Sequence, residues 1–232
     1  MENRPQDTVD TLTALERRRG RSWYRLVAAS GASWVLDREA LEQLGFVPES
    51  AADFPRPLTR PEVGLLEEAQ QATARRRLVR LLAYRARSRQ ELRLLLGLWP
   101  FPQPCVEQAL QWAASLGYVD DEALARQLVA SAPRQPLGRA GWREHLRQRG
   151  IEPELADRAV AELDASWERE HARKLVAARL RSVAHRAPAQ QAARLFGYLV
   201  RRGFDEEIAR SVVREAVGEL PEGQAGHEEA GP

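Results

Sequence analysis

The sequence predicts a mainly α-helical fold: about nine helices in tandem three-helix repeats, forming an elongated array, with a small β-containing N-terminal module. Three observations carry this prediction. At a constant offset of 53 residues, Leu146, Gly150, Glu154, Leu155, Ala156 and Val160 fall on Leu199, Gly203, Glu207, Ile208, Ala209 and Val213. Helix starts at Asp, Ser or Pro alternate with helix stops at Gly from Pro61 onward. Upstream of Pro48 the pattern changes to short, aromatic-rich runs around Ser30-Gly31. A three-helix unit cannot bury its apolar face alone, so copies of it stack.

In chain order, Thr8–Leu15, Trp23–Ala28 and Ala32–Leu36 read as strands, with Glu16–Arg21 as a link. Asp37 caps a short helix, Arg38–Leu44, which Gly45 ends. Pro48, Pro55, Pro57 and Pro61 mark a linker, so residues 1–60 are expected to be separable from the rest of the chain. Thr59 caps a long helix that places Ala74, Leu78, Leu81 and Leu82 on one face, with Arg76, Arg80 and, if the helix continues, Arg87 opposite. Ser88-Arg-Gln-Glu91 is a capping box that opens a second helix. Pro100-Phe-Pro-Gln-Pro104 precedes a third, stopped by Gly117. This first triplet is a divergent repeat copy, carrying Leu92, Leu95, Leu96, Val106, Leu110 and Leu116. Helices over about 121–131, 138–149 and 153–163 form the next triplet, and 165–184, 188–202 and 205–217 the last. The partition is a β-rich module at 1–47, a Pro-rich linker at 48–61, triplets at 62–118, 119–164 and 165–217, and an acidic tail of disordered composition at 218–232.

Composition narrows the function. No apolar run approaches the roughly 18 residues that a membrane span needs, and Met1–Asp7 has no apolar signal region. The single cysteine, Cys105, excludes an intramolecular disulfide and fits a reducing cytoplasm. Its expected role is that of a small buried hydrophobe. The net charge of +2 hides segregation: residues 75–93 carry eight Arg against Glu91, and 169–202 carry nine basic residues against Glu170. Two basic stretches point to a polyanion or an acidic protein face.

The candidate binding residues are Arg75, Arg76, Arg77, Arg80, Arg87, Arg89 and Arg93 from the first stretch, and Arg139, Arg143 and Arg147 on a second-triplet helix beside Trp142. Ordinary exposed faces interleave Glu with Arg, and the first stretch does not. Arg201 and Arg202 lie at a helix C-terminus, where the dipole favours cations, and are read as structural. Asp120-Asp121-Glu122 is read as a helix start. His145, His171, His185 and His227 lack metal-ligand spacing, so no metal is expected. No phosphate-binding loop or nucleophile motif is present, so neither a cofactor nor enzymatic activity is expected. Trp112, Trp142 and Trp167 fit core positions, whereas Trp99 lies in the Pro-rich insertion, where an exposed ring could stack on a base or partner, the less favoured of its readings.

Gly117-Tyr-Val-Asp-Asp-Glu-Ala-Leu-Ala125 resembles the signature of the bacterial RecX regulatory proteins, a Gly-Tyr-Leu-Asp-Asp-Glu-Arg-Phe-Ala type stretch. Ser88-Arg-Gln-Glu-Leu92 and Leu146-Arg-Gln-Arg-Gly-Ile151 agree with it in order and spacing, so the resemblance covers roughly residues 70–217. Val35-Leu-Asp-Arg-Glu-Ala-Leu-Glu-Gln-Leu-Gly45 is similar to the N-terminal part of longer members. Val119, Ala123-Leu124 and the insertion at 100–104 depart from the pattern, and position 123 inherits no role. The resemblance implies a regulator that binds the RecA recombinase filament, reaching single-stranded DNA through it, and limits filament extension, strand exchange, ATP hydrolysis and coprotease activity; a cytoplasmic monomer is expected. A direct DNA-binding protein with helix-turn-helix-like triplets, independent of RecA, is the alternative, and a purely protein-directed adaptor a third.

Overall fold

The computed structural model describes residues 8–17, 20, 22–47, 54–131 and 136–218. The residues at 48–53 assigned to the linker, and 219–232 of the acidic tail, lie outside the described residues. The chain forms two compact units that divide between Asp120 and Asp121.

The first unit opens with strands β1 (Thr8–Arg17), β2 (Tyr24–Ala28) and β3 (Ser33–Leu36), followed by helix α1 (Arg38–Gln43), and strand β4 (Arg56–Thr59). All pairings are antiparallel, in the order β3-β2-β1-β4. β1 runs to Arg17, so Glu16 and Arg17, expected in the link, are strand residues. β4 corrects the linker at 48–61 more substantially. Its Leu58 is 1 % exposed in the sheet core. Proline density suggested a linker, but β4 is an edge strand, where Pro57 can lack an N–H without breaking a ladder on its open side.

Three helices complete this unit: α2 (Arg60–Leu82), α3 (Arg89–Leu96) and α4 (Gln103–Ser115). α2 starts on a capping box in which Glu62 Oε2 accepts from the Thr59 N–H at 2.8 Å, and α3 starts on the matching box of Ser88 and Glu91. α2 is shared between two cores. Its Leu66 packs with Leu12, Leu26 and Leu41 of the sheet module, while Ala74, Leu78 and Leu81 pack with Leu92, Leu96, Leu110 and also Val35 of β3. The Val35 N–H donates to buried Gln70 Oε1 at 2.8 Å, fixing the sheet to the same helix. The sheet therefore shares polar and apolar partners with α2, whereas a linker at 48–61 was expected to set it apart.

The second unit contains α5 (Asp121–Ala130), α6 (Arg139–Gln148) and α7 (Pro153–Ala161), then α8 (Ala165–Val183), α9 (Pro188–Val200) and α10 (Glu206–Val217). With α1 these make ten helices among the described residues. The 53-residue repeat has a physical basis. After α6 the Gly150 N–H donates to Arg147 O at 2.8 Å and the Ile151 N–H to Leu146 O at 3.1 Å; after α9 the Gly203 N–H donates to Val200 O at 2.9 Å and the Phe204 N–H to Leu199 O at 3.2 Å. Both helices close by the same left-handed cap, with φ of +71° and +75° at the glycines, and both drive the next residue, Ile151 or Phe204, into the core.

The two triplets of this unit meet backbone to backbone. The Gly138 N–H donates to Arg202 O, and the Ala140 N–H to Gly203 O, each at 3.0 Å. A Cβ at Gly141 would lie 2.1 Å from Arg202 O, and one at Gly203 2.0 Å from Gly141 N. Glu168 of α8, 1 % exposed, completes the joint, as its Oε1 accepts from the Arg139 N–H at 3.0 Å and the Asp205 N–H at 3.1 Å. One buried carboxylate thus satisfies the starts of α6 and α10.

Candidate partner-binding surface

The sequence nominates arginines by position. The structure sorts them by whether a carboxylate already holds them. Arg76 is held most firmly: its Nε donates to Asp37 Oδ2 at 2.9 Å and its Nη2 to Asp37 Oδ1 at 2.7 Å, with Glu39 at 3.6 Å. Asp37 is 5 % exposed and also caps α1 by accepting from the Ala40 N–H. Burial pushes the Asp37 carboxyl up, but hydrogen bonds from Arg76 and Ala40 and the charges of Arg76 and Arg80 outweigh it and hold the pKa below the ordinary value. The hydrogen bond to Asp37 raises the Arg76 guanidinium correspondingly. Arg76 is thus a structural tie between α2 and α1, which corrects its placement on a free face.

Arg89 and Arg93 of α3 converge on Glu107 of α4, Arg93 through two bonds at 2.6 and 3.1 Å and Arg89 at 3.6 Å. Arg85 makes two bonds to Glu91, at 2.8 and 3.2 Å. In the second triplet Arg143 pairs with Asp157 at 2.6 Å, and Arg147 with Glu144 at 2.7 Å. The Arg139 N–H binds Glu168, and its buried Nε has no hydrogen-bond partner. The stripe at 139, 143 and 147 is therefore largely neutralised or folded inward.

Arg75, Arg77, Arg80 and Arg87 remain. Arg75 is exposed and lies over the Trp112 ring at 5.2 Å, and Trp112 in turn meets Tyr118 edge-on at 6.3 Å. Trp112, expected in the core, is only half-buried, and Tyr118 of the signature stretch is 58 % exposed. This basic-aromatic row joins α2, α4 and the loop after Gly117. Sequence reasoning missed it, although Tyr118 stands in the signature itself. Arg77 lies over Trp99 at 5.4 Å, and desolvation, then the charges of Arg80 and Arg87, depress its pKa. Arg80 is exposed. α2 ends at Leu82, so Arg87 is not on it; from the following turn its Nε donates to Leu81 O at 3.1 Å. Trp99 is 6 % exposed and stacks on Phe101 at 5.5 Å, so it is a core residue and cannot serve as a stacking platform.

Cys105 is 4 % exposed, and burial pushes its thiol up to about 11, offset only in part by Arg75, as suits a packing residue. Among the described residues no group of three His, Cys, Asp or Glu side chains could hold a metal ion, and no helix is long and apolar enough to cross a membrane.

Residues 120–160 match the family description "RecX, second three-helix domain", and residues 168–213 match "RecX, third three-helix domain". The chain is 35 % identical over 142 residues to the regulatory protein RecX of Streptomyces coelicolor, covering 61 % of this chain and 76 % of that protein. With the regulatory protein RecX of Mycolicibacterium vanbaalenii it shares 34 % identity over 168 residues, covering 69 % and 91 %. A solved structure described as the crystal structure of regulatory protein RecX superposes with a TM-score of 0.61 at 20 % identity, covering 88 % of this chain and 98 % of that one. A second, RecX from Lactobacillus salivarius, gives 0.58 at 16 % identity, covering 62 % and 95 %. The last two likenesses concern the fold alone.

Proposed function

The chain belongs to the RecX regulatory protein family, and from that premise we propose that it binds RecA filaments on single-stranded DNA and limits their extension. Strand exchange, ATP hydrolysis and coprotease activity fall with the filament. It acts in the cytoplasm, by binding and without a covalent step of its own.

The observation that carries the contact is the set of arginines on the first unit, Arg75, Arg77, Arg80 and Arg87, that form no ion pair with a carboxylate among the described residues. Burial, then the charges of Arg80 and Arg87, depress the Arg77 guanidinium, and an anionic partner relieves that repulsion. Arg75, stacked on Trp112 beside exposed Tyr118, adds a cation whose flat face is already supported. Guanidinium groups bind carboxylate or phosphate through two bonds, so the surface suits a nucleoprotein polymer that presents both.

The test is RecA ATP hydrolysis on single-stranded DNA. Addition of this protein at well below one copy per RecA is expected to suppress it, because blocking growth at few sites affects many subunits. Unchanged hydrolysis at equimolar protein would refute the regulator reading. Arg75→Ala combined with Arg80→Ala is expected to weaken the suppression while leaving the melting temperature near wild type.

A further inference from the structure

A second basic surface lies on the second unit, and it includes Arg201 and Arg202, which sequence position assigned to helix-end electrostatics. In the stretch 169–202, Arg173 is paired with Glu215 and Lys174 with Glu170. Among the described residues no carboxylate lies within ion-pair distance of Arg179, Arg194, Arg201 or Arg202. Two of these converge on one ring: the Arg179 guanidinium carbon lies 4.5 Å and that of Arg202 4.6 Å from the centroid of Tyr198. Like charges converge in this way at a cost, and here no acid offsets it.

We propose that Arg179, Tyr198 and Arg202 form an anion clamp that takes the phosphodiester backbone of a nucleic-acid strand, at a site separate from the arginines of the first unit. Stacking on the ring supports the flat face of each guanidinium and leaves N–H edges for a phosphate. Arg202 is held further, since its Nη1 donates to Pro136 O at 3.1 Å, which reduces the freedom lost on binding. A contact made to phosphate carries no base information, so it is sequence-independent. An acidic protein segment is the weaker occupant. The exposed cations Arg194 and Arg201 on α9 and its C-cap continue the positive surface beyond a single pair of side chains, as a repeating polyanion requires.

The clamp does not depend on RecA, so the experiment omits RecA: fluorescence anisotropy of labelled oligothymidylate with the full-length chain, read as a function of salt. Arg179→Gln removes a cation that no carboxylate holds, and the double change with Arg202→Gln removes both. The log–log salt slope is expected to flatten by about 0.7 for the single change and about 1.4 for the double, with affinity falling severalfold at each step. Arg158→Gln, an exposed α7 position, removes the same charge elsewhere and is expected to change neither by more than a small fraction of that. Because Arg202 also touches the joint at Pro136, Arg179→Gln alone keeps the test valid if the double variant melts early. Wild-type slopes in Arg179→Gln, or an equal loss in Arg158→Gln, would overturn the clamp. So would displacement of the oligonucleotide by polyglutamate at equal charge concentration, which would reassign the face to an acidic polypeptide. Failure here leaves RecA ATPase suppression untouched, so the two readings fail separately.

Discussion

Arg76 and Arg80 sit one helical turn apart on α2 and have different roles. Arg76 holds the nearly buried Asp37 carboxylate, and its loss leaves that charge buried without its partner. Breaking such a pair costs about 3 kcal/mol, whereas removing exposed Arg80 stays within about 0.5 kcal/mol. Urea denaturation of Arg76→Ala and Arg80→Ala separately should show this split. The pH dependence follows from the depressed Asp37 carboxyl. Its stabilising contribution is complete above the unfolded carboxylate value of about 3.9 and is lost as pH falls from there through the lower folded value. Wild type should therefore lose stability below about pH 4 more steeply than Arg76→Gln, in which the depression is relieved. Equal slopes would place the pair's contribution elsewhere. The basic stretch was legible in the sequence, but its neutralisation was not. The acids that matter, Asp37 for Arg76 and Glu107 for Arg93, come from other elements, and helical spacing reports only neighbours three or four residues away.

At the scale of elements the caps were the readable part. Asp37, Thr59 and Ser88 all stand at helix starts, and each choice satisfies backbone groups with a local side chain or marks where extended chain turns helical. β4 was hidden because prolines dominate its local signal, while its partner strand lies far back in the chain. The glycine joint was hidden for a related reason. Gly203 advertises a helix stop, but its close approach to Gly141 is a tertiary fact. Gly117 provides the contrast, with nearly the same φ, +72° against +75°, and open space where a Cβ would go. Gly117→Ala should cost only the left-handed backbone penalty, about 1–2 kcal/mol. Gly203→Ala adds a backbone collision and should exceed about 3 kcal/mol, measured as a shift in denaturation midpoint. Glu168 offers an independent check on the same joint. Glu168→Ala leaves two part-buried N–H groups without their acceptor, at about 1 kcal/mol each, while Glu168→Gln keeps an accepting oxygen and should recover most of the loss. If alanine and glutamine variants melt alike, the joint is held by the glycines alone.

At the scale of the whole molecule, the repeat made a mainly helical chain legible, but the way the core is shared along α2 was not. Sequence composition changes near Pro61, and a composition change ordinarily marks a boundary between folding units. Here the long helix that begins at Arg60 supplies Leu66 to the sheet core and Leu78 to the helical core, and it carries the partners of Val35 and Asp37. A chain starting at Pro61 would expose Leu66, Gln70 and Thr73, which are buried in the intact protein, and would leave Arg76 without Asp37. The second unit differs, since its buried clusters draw only on residues from Leu124 to Val217. Two fragments therefore make opposite predictions. A fragment of residues 121–218 should unfold cooperatively by circular dichroism, because no buried side chain of its core has been removed. The fragment 61–232 should retain that same transition, but its first-unit helices should melt without cooperativity or draw the chain into aggregates through the exposed face of α2. Two sharp transitions in the 61–232 fragment would mean that the sheet is an ornament on α2; a single one, matching that of 121–218, would mean that the sheet and first triplet fold only together.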